Sequence, residues 1–271
     1  MKKTGTKRIT TDKFYTNKDQ AKICWDKCKK FISHKEQDYL VIEPSAGNGV
    51  FLPYISPHPF LAFDIIPEGG NILQKDFLQV DLDAFQKKLY FVGNPPFGRQ
   101  SSLAKKFIKH ITKCVQTEMV AFILPKSFKK ASFQKTFPLS FHLVESWDIP
   151  ENSFHIDNKI HNVPCVFQIW KKRDKWRKIV CPPTSKFFFF VKKEDFPHFS
   201  LRRVGVYAGK LDKECASKSS QSHYFIKLNK NINWALFETK YNTIHFPHNN
   251  TVGPKSICKS EFISAINSLS L

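Results

Sequence analysis

The sequence predicts an α/β fold, a mostly parallel sheet crossed by helices and followed by a smaller basic α+β region, and three observations predict it. Between residues 40 and 170, apolar runs of strand length alternate with amphipathic stretches of helix length, the pattern of a sheet with crossover helices. Three successive strand-like runs end in an acid, at Glu43, Asp64 and Asp76. After Trp170 the alternation stops at the charge run Lys171-Lys172-Arg173-Asp174-Lys175 and then at Cys181-Pro182-Pro183, which read as a boundary. The division expected is 1–178 and 179–271.

Taken in order, residues 21–31 read as a helix. Cys24 and Cys28 lie one turn apart in it, but no second Cys/His pair at ligand spacing follows, so both are expected in the core and no structural metal is expected. Strands are expected over 39–43, 60–64, 72–75, 89–93, 120–124, 141–147 and 163–170, with helices over 49–55, 103–115 and 126–136. Only the loop 148–162 separates the last two strands, so they should form an antiparallel pair closing the sheet. Beyond the boundary, 187–191, 201–207 and 224–228 look like short strands and 261–269 like a closing helix. Gly205, Gly209 and the Ser-rich stretch 217–222 suggest loops near a ligand, or simply turns.

A chain of 271 residues with 41% hydrophobic content can bury a sizeable core. Its longest apolar runs, 187–191 and 120–124, fall well short of the ~18 residues a membrane helix needs. No apolar segment follows the basic start Met1-Lys2-Lys3-Thr4-Gly5, and seven cysteines are an odd, scattered set. The expectation is a soluble cytoplasmic protein with reduced thiols, or a nuclear one in a eukaryotic or viral setting, with monomer and homodimer both open. The net charge is +20; residues 171–271 carry 19 Lys and Arg against 7 Asp and Glu, and the first 170 carry 24 against 16. Such a balance signals a polyanionic partner, although the many Lys, Asn and 27 Phe would also follow from an AT-rich genome.

Val41-Ile42-Glu43-Pro44-Ser45-Ala46-Gly47-Asn48-Gly49 is a strand entering a turn of small residues, which lets backbone approach a ligand closely. The turn lacks the Gly-x-Gly-x-x-Gly spacing of dinucleotide sites and no phosphate-cradling Lys follows, so it suits a ligand without phosphates, such as S-adenosylmethionine. Asp64, in Ala62-Phe63-Asp64-Ile65, can accept both hydroxyls of a ribose. Asp76 can accept an adenine amine while Phe77 lies against the ring; solvated loop acids would leave the same trace. Leu89-Tyr90-Phe91-Val92-Gly93 then runs into Asn94-Pro95-Pro96-Phe97. An aryl amine such as N6 of adenine has its lone pair drawn into the ring, so a base cannot make it nucleophilic. An Asn oxygen and a neighbouring carbonyl that accept its two N–H bonds let that lone pair localise. Two prolines fix φ and carry no N–H, which sets the direction of the carbonyls, and Phe97 offers a flat face for the base. A strand ending in a proline turn is the plain alternative for the tetrapeptide alone.

In this order and spacing, Glu43 to Gly49, Asp64, Asp76-Phe77 and Asn94 to Phe97 resemble the S-adenosylmethionine-dependent adenine-N6 methyltransferases of nucleic acids. Upstream, Phe14-Tyr15-Thr16-Asn17-Lys18 looks like the family's N-terminal cofactor motif, giving the gamma-type motif order; the family often has Pro where this chain has Asn17. The resemblance covers residues 10–170. It implies a Rossmann-like class I methyltransferase domain with a seven-stranded mixed sheet, then a target-recognition region. It implies that Tyr15, Thr16, Glu43, Pro44, Ser45, Ala46, Gly47, Asn48, Gly49, Asp64, Ile65, Asp76, Phe77 and Asn94 hold the cofactor, Thr16 at its methionine part. Asn94, Pro95, Pro96 and Phe97 would then be catalytic. A flipped adenine would lie between Phe97 and Phe154 of the 148–162 loop, where His155 or Trp147 are alternatives and Phe154 reads equally as core. Arg202, Arg203 and Lys210, with Lys192 and Lys193, would contact the nucleic-acid backbone.

The function expected is methyl transfer to N6 of adenine in nucleic acid, DNA ahead of RNA on motif order and the C-terminal extension. RNA adenine-N6 methyltransferases carry the same tetrapeptide and are the alternative. Two further readings are a protein-glutamine methyltransferase, whose motif usually ends in Tyr and which the +20 charge opposes, and a non-catalytic partner subunit, which retention of Asn94 and the acids opposes.

Overall fold

The computed structural model describes residues 14–32, 38–156, 159–178, 183–246 and 255–269. The chain divides into two compact units, Met1–Ile179 and Val180–Leu271. Elements of the first run β1 (Tyr15–Thr16), α1 (Lys18–Cys28), β2 (Tyr39–Glu43), α2 (Leu52–Ile55), β3 (Phe60–Asp64), β4 (Leu73–Gln74), β5 (Lys88–Gly93), α3 (Ser102–Lys113), β6 (Thr117–Pro125), α4 (Ala131–Gln134), β7 (Phe141–Asp148), β8 (Phe154–Ile156), β9 (Lys159–His161) and β10 (Cys165–Lys172). The second continues with β11 (Phe188–Val191), β12 (Phe199–Arg202), β13 (Leu211–Asp212), β14 (His223–Leu228), α5 (Trp234–Tyr241) and α6 (Lys259–Asn267).

Seven strands of the first unit form one sheet in the order β4-β3-β2-β5-β6-β10-β7. β4, β3, β2, β5 and β6 are parallel, and β10 runs antiparallel to both β6 and β7. This is the mixed sheet of the Rossmann-like class I methyltransferase fold. The chain moves outward from β2 to β4 and returns on the other side of β2 as β5. The strand order therefore reverses between β2 and β5, and a crevice opens there at the carboxyl ends of the strands.

Burial explains why the central strands read as continuous apolar runs: β2 is buried throughout, as a parallel strand covered on both faces must be. Alternate residues serve opposite faces. Val41, Val92, Ala121, Ile123 and Phe167 join Ala21, Cys24, Trp25 and Cys28 of α1 in one apolar layer. Ile42, Phe91, Phe122, Leu124 and Val166 join Ala104, Phe107, Ile108 and Ile111 of α3 in the other. The four α3 residues recur at helical spacing, a single buried stripe. Cys24 and Cys28 are thus core side chains, and burial pushes the Cys24 thiol up to about 12.

Some elements differ from the sequence reading. The helix expected over 49–55 is α-helical only from Leu52, because Gly47 and Gly49 adopt positive φ (53° and 76°). The helix expected over 126–136 breaks at Lys130, which is extended (φ −75°, ψ 137°). Sheet contacts override its propensity: Lys126 N–H donates to the Pro164 carbonyl (2.9 Å), and Gln168 Nε2 to that of Phe128 (3.3 Å). The loop expected over 148–162 contains the hairpin β8–β9, which pairs with β1 to form a separate three-stranded sheet.

The second unit has a four-stranded antiparallel sheet, β11-β14-β12-β13, with a core shared by α5 and α6 around Phe188, Phe199, Phe237 and Phe262. The strand expected over 201–207 stops at Arg202, ahead of Gly205 at φ 92°. Counted at the unit boundary, Val180–Leu271 holds 13 Lys and Arg against 6 acids, and Met1–Ile179 holds 30 against 17. Positive charge is therefore spread about evenly per residue, and the greater basicity expected of the C-terminal part came from counting the run 171–178 with it.

Candidate active site

A cavity of about 420 Å³ sits where the strand order reverses, lined by residues from Phe14 to Phe107. It draws Tyr15 and Thr16 from β1, Glu43 to Asn48 from the turn after β2, Asp64 and Ile65 from the end of β3, Asp76 and Phe77 after β4, and Asn94 and Pro96 after β5. Segments far apart in sequence thus converge on one cavity. Gly49, Pro95 and Phe97 are not among the lining residues. In a chain of net charge +20, this cavity is lined by three acidic residues and a single Lys, Lys75. That sign suits a cationic ligand and excludes no neutral one.

Each acid is held differently. Asp64 accepts from the Gly47 N–H through Oδ2 (2.7 Å) and from the Ile66 N–H through Oδ1 (2.8 Å), so its carboxylate is fixed across the cavity floor. Asp76 caps the short helical turn Phe77–Gln79 by accepting from the Leu78 N–H (3.0 Å). Glu43 is different: it is buried and its Oε2 has no hydrogen-bond partner among the described residues. Burial first, and the charge of Asp64 second, raise its carboxyl well above the usual range, which favours its protonated form. A buried oxygen left without a partner fits a ligand that brings a polar group to it. Ile65 and Ile66 are exposed and Phe77 is buried against Phe107, giving the same cavity apolar walls for a planar ring.

The Asn94 carboxamide is oriented by partners about 80 residues upstream. Its Nδ2 donates to the Phe14 carbonyl (3.0 Å) and to Thr16 Oγ1 (3.2 Å). A backbone carbonyl only accepts, so the nitrogen must face Phe14, and Oδ1 is turned the other way. Ser45 Oγ donates to the Asn94 carbonyl (3.3 Å) and ties the two turns together. Asn17, at the position where Pro would fit the N-terminal motif, is the N-cap of α1: its Oδ1 accepts from the Gln20 N–H (2.8 Å) and its Nδ2 donates to the Asn152 carbonyl (3.2 Å). Its own N–H donates to the Ser153 carbonyl (2.9 Å), fastening the β1 segment to the hairpin loop.

Gly47 lies under the Tyr15 ring with φ 53°; a Cβ there would come within 3.3 Å of it. Tyr15 donates from its hydroxyl to Glu68 and stacks on His155 (5.7 Å, 27°). After Phe97 the chain turns sharply into α3, with Gln100 and Ser101 at φ 54° and 60°, conformations that cost L residues energy and recur at functional sites.

Two expected base contacts differ. Phe97 is 7% and Phe154 1% exposed, and both belong to the apolar layer beside α1. Both rings are packed within that layer, so neither presents a free face. In the second unit, Arg202 Nε donates to the Val204 carbonyl (2.9 Å) and Arg203 Nε to that of Gln221 (3.2 Å), so both guanidinium groups are engaged within the fold, while Lys210 is exposed. The stacking of His155 on Tyr15 escaped the sequence because it depends on the β1–β8 pairing, and the Tyr15–Glu68 bond because it joins that strand to a loop residue outside any motif.

No protein-family model matches the sequence, and no curated protein matches it. Solved structures superpose on about three fifths of the chain. The 23S rRNA methyltransferase ErmE gives a TM-score of 0.44 at 15% identity, covering 60% of this chain and 70% of its own. The N-methyltransferase NodS from Bradyrhizobium japonicum gives 0.40 at 10% identity, covering 58% and 98%. A complex of DrdV with DNA gives 0.42 at 13% identity, covering 59% and 26%. These likenesses are distant, and the fold assignment rests on the strand order itself.

Proposed function

We propose that the chain transfers a methyl group from S-adenosylmethionine to the N6 amine of an adenine in nucleic acid. The orientation of Asn94 carries this reading. Its nitrogen is committed to the Phe14 carbonyl and the Thr16 hydroxyl, which leaves Oδ1 as an acceptor at a cavity rich in acids.

S-adenosylmethionine would supply an electrophilic methyl group on a sulfonium. Glu43, Asp64, Asp76, Thr16 and the turn from Pro44 to Asn48 would hold it, the carboxylates meeting its hydroxyl, amine and cationic groups. Asn94 Oδ1 and the Pro95 carbonyl would accept the two N–H bonds of the acceptor amine and localise its lone pair. Positioning and hydrogen bonding are then the main catalytic contributions. No side chain need act as a base, since the methylated ammonium is acidic enough to lose its proton to water.

The preference for DNA expected from motif order has no observation behind it in the fold, and it is not carried forward. An RNA acceptor is therefore assayed first, beside a DNA panel of the same sequences. The protein is incubated with methyl-labelled S-adenosylmethionine and each panel, and the digested nucleosides are identified by mass spectrometry. N6-methyladenosine or N6-methyldeoxyadenosine is the expected product; label on protein, or on neither panel, would overturn the proposal.

A further inference from the structure

A cleft of about 230 Å³ in the second unit lies between the turn after β11, the start of β14 and the first turn of α6. Its lining includes three lysines, Lys192, Lys193 and Lys259, against one acid, Glu194. None of the three lysines has an acidic side chain within ion-pairing distance among the described residues, which sets them apart from Lys22, Lys29 and Lys30, each paired with Asp26 or Glu145. The cleft is also built rather than incidental. Lys259 Nζ lies 4.5 Å from the centre of the Phe190 ring and 5.6 Å from that of Tyr224, so two aromatic faces hold its charge in position. Arg203 sits over Tyr224 (5.3 Å) and donates to its hydroxyl (3.4 Å), which adds a fourth cation behind the wall. Asp195 accepts the Lys192 N–H (2.9 Å) and fixes the turn that carries Lys192 and Lys193.

Unpaired, positioned cations converging on one cleft are complementary to a row of phosphates. We propose that this cleft binds the phosphodiester backbone of the nucleic acid that carries the acceptor adenine, through Lys192, Lys193 and Lys259. Lys192 and Lys193 were expected from sequence, whereas Arg202 and Arg203, expected beside them, are held by carbonyls of the unit and serve as its frame, and Lys259 is added by the cleft. The proposal rests on nucleic acid being the substrate.

The test uses the full chain and fluorescein-labelled single-stranded RNA and DNA oligonucleotides, with affinity read by anisotropy across a salt series. Replacing Lys192, Lys193 and Lys259 together by Gln should lower the slope of log affinity against log salt by about 2, roughly 0.7 for each single-strand phosphate that is no longer neutralised. The Lys192→Gln, Lys193→Gln pair, which leaves Lys259 on its two rings, should lower it by about 1.4. Replacing Lys22, Lys29 and Lys30 by Gln makes the same change in net charge and should leave the slope near wild type. Equal slopes in wild type and the double variant overturn the cleft assignment alone. A wild-type chain that binds oligonucleotide but methylates none overturns the proposed reaction and leaves the cleft standing; one that binds none overturns both.

Discussion

The Asn94 carboxamide has two N–H donors and one oxygen, and both donors are already taken up by Phe14 and Thr16. Replacement by Ala removes the acceptor without touching the acids of the cavity. Methyl transfer should fall by about 10²–10³-fold, the cost typical of one missing hydrogen bond at a reacting group. Calorimetry should find S-adenosylmethionine affinity little changed, and near wild-type turnover would rule Asn94 out. Glu43 makes a pH-dependent prediction. In the unfolded chain it titrates near 4.5, whereas burial and Asp64 raise its folded value well above that. Between those two values the folded state holds a proton that the unfolded state has released, so stability falls as pH rises through the window, by up to about 1.4 kcal/mol per pH unit. Glu43→Gln should abolish that part of the slope. Thermal melts of the ligand-free wild type and variant, run from pH 4.5 upward, should diverge with the variant the more stable; parallel curves would mean that Glu43 is ionised in the fold.

The turn between β5 and α3 decides where the tetrapeptide ends. Gly98 has φ 67°, and a Cβ there would lie 2.8 Å from the Leu103 side chain. Gly98→Ala therefore combines an unfavourable backbone conformation with a clash, and should cost about 1–3 kcal/mol, read as a lowered midpoint in denaturant. Elements with strong periodicity were legible in the sequence: α3 shows one stripe at 104, 107, 108 and 111, and β2, β5 and β6 are long apolar runs. Glu43 was legible as the carboxyl end of β2 and Asp64 as that of β3, whereas Asp76 follows β4, a strand of two exposed residues. β8 and β9, three residues each, are too short to show a period, and their partner β1 lies about 140 residues away. The direction of the Asn94 amide was hidden likewise, since the tetrapeptide carries no mark of the Phe14 carbonyl. α5 went unread because its apolar residues, Trp234, Leu236, Phe237 and Tyr241, do not make one clean stripe.

At the scale of the molecule, every residue lining the acidic cavity falls between Phe14 and Phe107, inside a unit with its own two apolar layers. A fragment of residues 1–179 should therefore bind S-adenosylmethionine with the affinity of the full chain, measured by calorimetry. Its affinity for oligonucleotides should drop, since the lysine cleft is removed. A fragment that folds but binds no donor would show that the cavity needs the second unit. The small sheet of β1, β8 and β9 also sets an order of events during synthesis. The strand pairing of β1 is with residues near 154, and Asn17 is held by the carbonyls of Asn152 and Ser153. The parallel strands β2 to β6 can assemble from nearer neighbours while the chain is still emerging, but the segment whose Phe14 carbonyl aims Asn94 lacks its β8 pairing until about residue 160 has left the ribosome. A nascent chain can therefore pair its parallel strands before it is competent, and a ribosome stalled short of that point displays those strands with an amide not yet locked in its direction.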